Sequence, residues 1–363
     1  MTGRKTYAEL NYFNAAACLF VILIHVLSVG ITSLDKTSPQ MAVVFLLWKL
    51  AAYVVPGFLF TGAVKMALGF EAESRPLTLS GYAKYVWRRI LKIYVPYVLW
   101  VGVYYLYFLR IGWVESGIDV FLRYVFVGDL SSPFYYVVTV MQFYLLMPLW
   151  RWMTKRVPWF AGILTAGLIT LAMLYSEGIL AHMGVSFAYR DRVFPSYLIF
   201  WVLGLYVGKY YGAVREALRR HVGAVLAMLI PVALYGVGML VQFAHGIWLF
   251  DGNVIKMFTD CMTICIALTL CILLCDRAEN TAALRVLTRP LSFIYAASFS
   301  VYLSHCLFLQ IISSAIAQFA ITDIGVQLVL RAAVCYTAPF VLWYGWYWAK
   351  KGIHILCRKR KAA

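Results

Sequence analysis

Residues 10–31 read LNYFNAAACLFVILIHVLSVGI and contain no Asp, Glu, Lys or Arg. A mostly apolar run of about 20 residues is long enough to cross the hydrocarbon core of a bilayer as one α-helix. Similar runs recur along the chain, and with the first they cover residues 10–31, 41–65, 92–109, 133–152, 158–176, 193–210, 222–243, 254–275, 291–316 and 326–348. The pattern predicts an all-α, polytopic membrane protein of about ten transmembrane helices.

The composition supports this prediction and excludes an ordinary soluble domain. Hydrophobic residues make up 63% of the chain and charged residues only 13%, whereas soluble domains carry about 25% charged residues. The gaps between the apolar runs are short, so we expect a single transmembrane domain over residues 1–363. The first run follows Arg4 and Lys5 and has no small-residue cleavage site after it. We therefore expect a retained helix rather than a cleaved signal peptide.

The basic residues predict the orientation. With the N-terminus inside, 24 of the 32 Lys and Arg residues fall in inner segments and the C-terminal tail, and eight fall near the outer side. This asymmetry follows the positive-inside rule and predicts both termini in the cytoplasm, hence a multi-pass protein of the inner membrane. The net charge of +17 is spread over several segments. It therefore indicates contact with anionic membrane lipid rather than nucleic acid binding.

Two histidines lie within predicted membrane helices, where ionisable groups are costly and mark candidate functional sites. His25 shares a helix face with Asn14, eleven residues or about three turns earlier. His305 follows Tyr302 on one face of the ninth predicted helix. Each histidine lies about 14 residues, or about 21 Å of rise, from the inner end of its helix. We expect the two imidazoles at similar depth, although both could also be packing residues that hydrogen-bond neighbouring helices.

A basic cluster marks the inner end of the third predicted helix. Arg88, Arg89 and Lys92 occur within YVWRRILKIYVPY, with Arg89 and Lys92 one turn apart. The cluster fits ordinary positive-inside anchoring, and it equally fits a phosphate site, because guanidinium groups bind phosphate through paired hydrogen bonds. Asp260 is an isolated intramembrane acid that can pair with Lys256, one turn away. The intramembrane cysteines are expected to act as small apolar residues, so no metal site is predicted.

These residues alone leave two classes of function open. An anion site on the cytoplasmic side and a histidine chamber in the membrane fit a membrane acyl- or group-transferase. They fit a transporter of glycans or lipid-linked sugars as well. The oligomeric state is also open, a homodimer included.

Five blocks in order give the chain a resemblance to a known family. They are LNYFNAAACLFVILIH (10–25), VPGFLFTGAV (55–64), WRRILKIYVPY (87–97), FYYVVTVMQFYLLMPLW (134–150) with YLIFWVLGLYVG (197–208), and FSVYLSHCLF (299–308). Together they resemble acyltransferase family 3, the integral-membrane O-acyltransferases of the bacterial cell envelope. Within that family the chain looks most like the branch that acylates the poly-N-acetylglucosamine biofilm polysaccharide.

The resemblance implies transfer of an acetyl or succinyl group from acyl-CoA (acetyl-CoA or succinyl-CoA) to a hydroxyl of a cell-surface polysaccharide or lipid-linked glycan. By position, His25 matches the family's essential histidine, and Arg89 and Lys92 match its basic pair near the CoA phosphates, beside Arg88. Two positions depart from the pattern, since Asn14 and Lys92 stand where the family usually has arginine. Lysine keeps the charge but loses the planar fork of donors.

A mechanism follows from these roles. Neutral His25 would act as general base on the acceptor hydroxyl, while Tyr302 or His305 would stabilise the oxyanion or return a proton to the thiolate. A covalent acyl-histidine relay is the alternative, and the sequence does not decide between them.

Overall fold

The computed structural model describes residues 7–72, 76–184 and 186–360 of the chain. Within these ranges every regular element is helical. The α-helices are α1 (Ala8–Ser33), α2 (Pro39–Ala51), α3 (Val54–Ala72), α4 (Leu79–Arg89), α5 (Val95–Arg110), α6 (Ile118–Val127), α7 (Tyr135–Leu145), α8 (Met147–Arg156), α9 (Trp159–His182), α10 (Leu198–Lys209), α11 (Tyr211–Arg220), α12 (Val222–Ala227), α13 (Leu229–His245), α14 (Gly252–Asn280), α15 (Ala282–Gln318) and α16 (Ile324–Arg360). A π-helical turn, Ile90–Tyr94, joins α4 to α5. The predicted all-α fold is confirmed.

Eight helical segments of the described chain are long and apolar enough to cross a bilayer. The number rises to nine if the pair Phe194–Lys209 and Tyr211–Arg220, bent by 95°, counts as one span. The eight segments coincide with eight of the ten predicted runs. The chain is therefore a multi-pass membrane protein, while the cytoplasmic placement of both termini stays a prediction.

The two remaining runs, 133–152 and 193–210, are interrupted by proline. The first is divided between α7 and α8, with Pro148 in the first turn of α8. In the second, Pro195 lies in the short 3₁₀ helix Phe194–Tyr197, and α10 has only 12 residues. Proline lacks an amide hydrogen and fits the first turn of a helix better than its interior. Both runs are apolar, but neither forms one long helix.

The chain forms two compact units, Met1–Ala52 with Cys275–Ala363, and Tyr53–Leu274. The single domain over residues 1–363 stays a prediction. In the first unit, α1 packs against α2, α15 and α16, and α15 packs against α16. Small buried residues such as Ala15 and Ala17 on α1 allow close helix approach. The Cys18 thiol donates to the Ser298 carbonyl of α15 (3.7 Å), and the Tyr336 hydroxyl of α16 donates to the Leu19 carbonyl (2.8 Å).

The second unit is built around the contact of α3 with α10. Gly204 and Gly208 are four residues apart on α10, the spacing of small residues that lets two membrane helices approach closely. A Cβ at Gly208 would lie 2.7 Å from the Val64 carbonyl oxygen of α3. Next to this contact the fully buried Trp201 stacks on Phe143 of α7, with ring centroids 4.4 Å apart.

Candidate active site

The first unit brings the two intramembrane histidines together. His25 lies in the second half of α1 and His305 in α15, and their ring centroids are 5.1 Å apart with an interplanar angle of 49°. His305 is fully buried. The two imidazoles, which the sequence predicts at similar depth, are neighbours in this unit because α1 and α15 pack side by side. Their catalytic roles stay predictions.

A hydrogen bond fixes the ring of His305. Its Nδ1 lies 3.1 Å from the carbonyl oxygen of Val301, one turn earlier on α15. Because a carbonyl oxygen only accepts, Nδ1 carries the hydrogen, and Nε2 of the neutral ring keeps its lone pair. A backbone carbonyl that selects the tautomer in this way also fixes the orientation of the ring. The unprotonated Nε2 is therefore the ring nitrogen that can accept a proton.

Cys306 lies at this nitrogen. Its Sγ is 3.4 Å from His305 Nε2, so the thiol can donate to the lone pair. The donor atoms of His25, His305 and Cys306 all lie within 4.8 Å of one another. This spacing suits transfer of a proton within the cluster. It would also suit a single metal ion, which the sequence does not predict.

Tyr302 and Asn14 belong to the same unit at different distances from the pair. The Tyr302 ring is buried, and its centroid is 6.0 Å from that of His305. Tyr302 is therefore close enough to act beside the imidazole. Asn14 is half-buried on α1, eleven residues or about 16 Å of rise before His25, so it is separated from the histidine pair along the helix axis.

The basic cluster lies in the second unit at the junction of α4 and α5. Arg89 is half-buried, with its guanidinium carbon 4.3 Å from the ring centroid of Tyr144 and 5.1 Å from that of Tyr85. Cations are attracted to aromatic faces at such distances. Two tyrosines thus hold the guanidinium in place, and within the described chain Arg89 has no carboxylate partner.

Arg88 and Lys92 have different surroundings from Arg89. Both are exposed. Lys92 lies within the π-helical turn Ile90–Tyr94, which follows Arg89 directly, so the two are not related by the α-helical turn that the sequence suggests. Such turns widen the helix locally and occur often at functional sites. The structure therefore singles out Arg89 as the member of the cluster whose position is fixed by neighbours.

Another charged candidate has a simple structural explanation. Lys256 Nζ lies 2.5 Å from Asp260 Oδ2 on α14. The ion pair offered as an alternative in the sequence is confirmed. This acid needs no catalytic role to account for its place in the membrane.

Two residues near the histidine pair escaped sequence reasoning. The sequence predicts that Cys306 acts as a small apolar residue, although its position next to His305 is a signal that it could reach the ring. Arg331 is one of the eight basic residues that the sequence places near the outer side, and it is buried in α16. An ionisable residue inside an apolar helix is the signal that could have found it.

A conserved domain model decides the class of protein. The model of the acyltransferase domain of family 3 matches residues 7–348, nearly the whole chain. The chain belongs to acyltransferase family 3. It is accordingly a membrane O-acyltransferase that transfers groups other than aminoacyl groups, as the resemblance predicts. The histidine pair, α1, α15 and the basic cluster all fall within the matched region of this acyltransferase.

Searches of curated proteins and of solved structures find no significant match to the acyltransferase. The family match gives no support to the alternative of a glycan transporter. The branch of the family, the acyl donor and the acceptor are matters of proposal.

Proposed function

We propose that this acyltransferase moves an acetyl or succinyl group from acyl-CoA to a hydroxyl of a cell-surface polysaccharide or lipid-linked glycan at the bacterial inner membrane. The observation that carries the proposal is the contact between His25 and His305 inside a family 3 chain, with a tautomer that leaves His305 Nε2 bare. The poly-N-acetylglucosamine branch is the proposed subgroup, on the order of the five sequence blocks.

The chemistry begins with proton removal from the acceptor. Neutral His25 takes the hydroxyl proton as the oxygen attacks the thioester carbonyl carbon, and a C–O bond forms. The carbonyl oxygen becomes an oxyanion, which Tyr302 can stabilise by hydrogen bonding. The C–S bond then breaks, and the CoA thiolate receives a proton from the histidine pair. The products are an ester and free CoA, and the atoms balance without a cofactor or a redox step.

The adjacent imidazoles support this scheme over a single isolated base. His305 lies beside His25 and has a bare Nε2 within the same cluster, so it can accept the proton that His25 takes up. An acyl-histidine intermediate remains the alternative route, in which an imidazole nitrogen carries the acyl group before the acceptor takes it. Rapid mixing of enzyme and acyl-CoA separates the two, because only the covalent route releases CoA without acceptor.

The donor is assigned to the basic cluster. Arg89 has charge, a planar fork of donors and a fixed position between two tyrosines, which are the properties that suit a CoA phosphate. Arg88 and Lys92 are exposed beside it and add positive charge. Under the predicted orientation this cluster lies on the cytoplasmic side, where acyl-CoA is found.

The test uses purified protein in liposomes. Thiol release from acetyl-CoA and succinyl-CoA is followed with and without glycan acceptors, and movement of labelled glycan across the membrane is followed in parallel. Acceptor-dependent thiol release is expected, and mass analysis of surface glycans from cells with and without the gene should show an ester only in the former. Glycan flux without thiol release would contradict the proposal.

A further inference from the structure

Arg331 is a buried cation in an apolar helix. It lies seven residues into α16, about 10 Å from the start of that helix, and its exposed fraction is only 6%. Charged residues within membrane segments are rare and are retained where they bind a partner or a ligand. We therefore ask which groups bind the guanidinium of Arg331.

The partners of Arg331 within the described chain are neutral. Its Nε donates to Ser313 Oγ of α15 (3.2 Å), and its Nη1 donates to Gln327 Oε1 (2.9 Å). Two of the five guanidinium donors are used in this way. None of the ion pairs among the described residues includes Arg331. A buried charge without a counter-charge is destabilising, so the site is favourable for an anion.

The position of Arg331 relative to the histidine pair limits what that anion can belong to. Ser313, which holds the guanidinium, follows His305 by eight residues on α15, or about 12 Å of rise. The displacement is toward the C-terminal end of α15, the end predicted to face outward. On α16, Arg331 lies one turn before Cys335, whose thiol donates to the His305 carbonyl (3.8 Å). Arg331 and the histidine pair thus belong to one packed group of helices.

This distance favours the acceptor over the donor. A succinyl carboxylate lies three bonds from the thioester carbon, which is shorter than the rise of about 12 Å between His305 and Ser313. The same distance is roughly the length of a disaccharide, so an anion on the sugar next to the acylated one would reach it. The predicted outer position of Arg331 agrees with a glycan that approaches from the outer side of the membrane.

We propose that Arg331, held by Ser313 and Gln327, binds a carboxylate or phosphate of the acceptor glycan and thereby selects anionic acceptors. The inference rests on the proposed function for calling the ligand an acceptor, and within that function it favours an anionic glycan over poly-N-acetylglucosamine, whose repeating unit has no carboxylate or phosphate. Arginine suits this task because two of its N–H groups can bind two oxygens of one anion. The positive charge and the fork both contribute.

The test measures binding of matched anionic and neutral sugars to the full-length protein in maltoside detergent. The probes are a disaccharide of glucuronic acid and N-acetylglucosamine with its carboxyl methyl ester, and a phosphorylated disaccharide with its neutral phosphate triester. We expect the wild type to bind at least one anionic probe at least tenfold more tightly than its ester. Arg331→Gln should remove the preference and leave affinity for the ester within twofold. Equal affinity of the wild type for both members of each pair would overturn the proposal.

Two controls make the result specific. Arg110→Gln removes an exposed positive charge near the predicted outer side and should keep the preference. Arg331→Lys keeps the charge but not the fork, so its preference should fall at least threefold, and this variant decides the matter if Arg331→Gln does not fold. A phosphorus assay that finds phospholipid retained by the wild type but not by Arg331→Gln would assign the arginine to a lipid headgroup and refute the acceptor site.

The binding measurement does not depend on turnover. Anion preference without acyl transfer to any acceptor would refute the proposed function and leave the Arg331 site standing. Acyl transfer that is equally efficient with the charged and neutral members of each pair, in both the wild type and Arg331→Gln, would support the proposed function and refute the Arg331 site.

Discussion

Replacing Arg89 with alanine should weaken binding of acyl-CoA without unfolding the protein. Arg89 is the cluster member held between Tyr85 and Tyr144, at 5.1 and 4.3 Å, so its guanidinium is ordered before the donor binds. A charge-assisted hydrogen bond of this kind contributes about 1.5–3 kcal/mol. At about 1.4 kcal/mol for each factor of ten, the dissociation constant should rise about 10- to 150-fold.

The assay is isothermal titration calorimetry of CoA into detergent-solubilised protein. Arg89→Lys keeps the charge but loses the fork of donors, so its affinity should fall between those of the wild type and Arg89→Ala. Lys155→Ala is the matched control, since it removes an exposed basic residue from a predicted inner segment and should change the affinity less than twofold. A folded Arg89→Ala with wild-type affinity for CoA would show that the arginine is an ordinary positive-inside anchor.

Three further predictions concern the fold, the topology and the second histidine. Gly204→Ala should lower the free energy of unfolding by about 1–3 kcal/mol, because the new methyl group would press on α3. Gly212→Ala, where a Cβ meets nothing within 4 Å, should leave the stability unchanged, and melting curves in detergent compare the two variants. A reporter fused after residue 363 should lie in the cytoplasm, and a tag inserted after Gly184, beyond the end of α9, should be accessible from outside. Identical behaviour of both would refute an even number of spans. His305→Ala should slow transfer less than His25→Ala, measured as thiol release, and a complete loss in the His305 variant alone would reverse the assigned roles.

The sequence was sufficient to predict the helices whose apolar runs are continuous. It was insufficient at 133–152 and 193–210, where Pro148 and Pro195 lie in the first turns of new helical elements. Hydropathy does not distinguish these prolines from Pro339, which lies inside the continuous helix α16. The run at 133–152 divides into α7 and α8.

The histidine pair was within reach of sequence reasoning, because two helices of the same predicted direction place residues at equal depth when the distances from their ends agree. The details around it depend on tertiary contacts. Arg89, unlike Arg88, is held in place by the ring of Tyr144, which is 55 positions away in the chain. That Arg331 is buried rather than at a lipid surface follows from its contact with Ser313 of α15. The spacing of residues along the sequence does not predict either contact.

Thiol release from acyl-CoA by His25→Ala, in the presence of a glycan acceptor, tests the central claim most directly. His182→Ala, which changes an exposed histidine of α9, is the control, and size-exclusion chromatography with CoA titration verifies that each variant is folded and binds the donor. Loss of a general base lowers rates by about 10²–10⁴, so His25→Ala should fall by at least 100-fold while His182→Ala keeps the wild-type rate. Near-normal turnover by folded His25→Ala would contradict the assignment of the histidine pair as the catalytic centre.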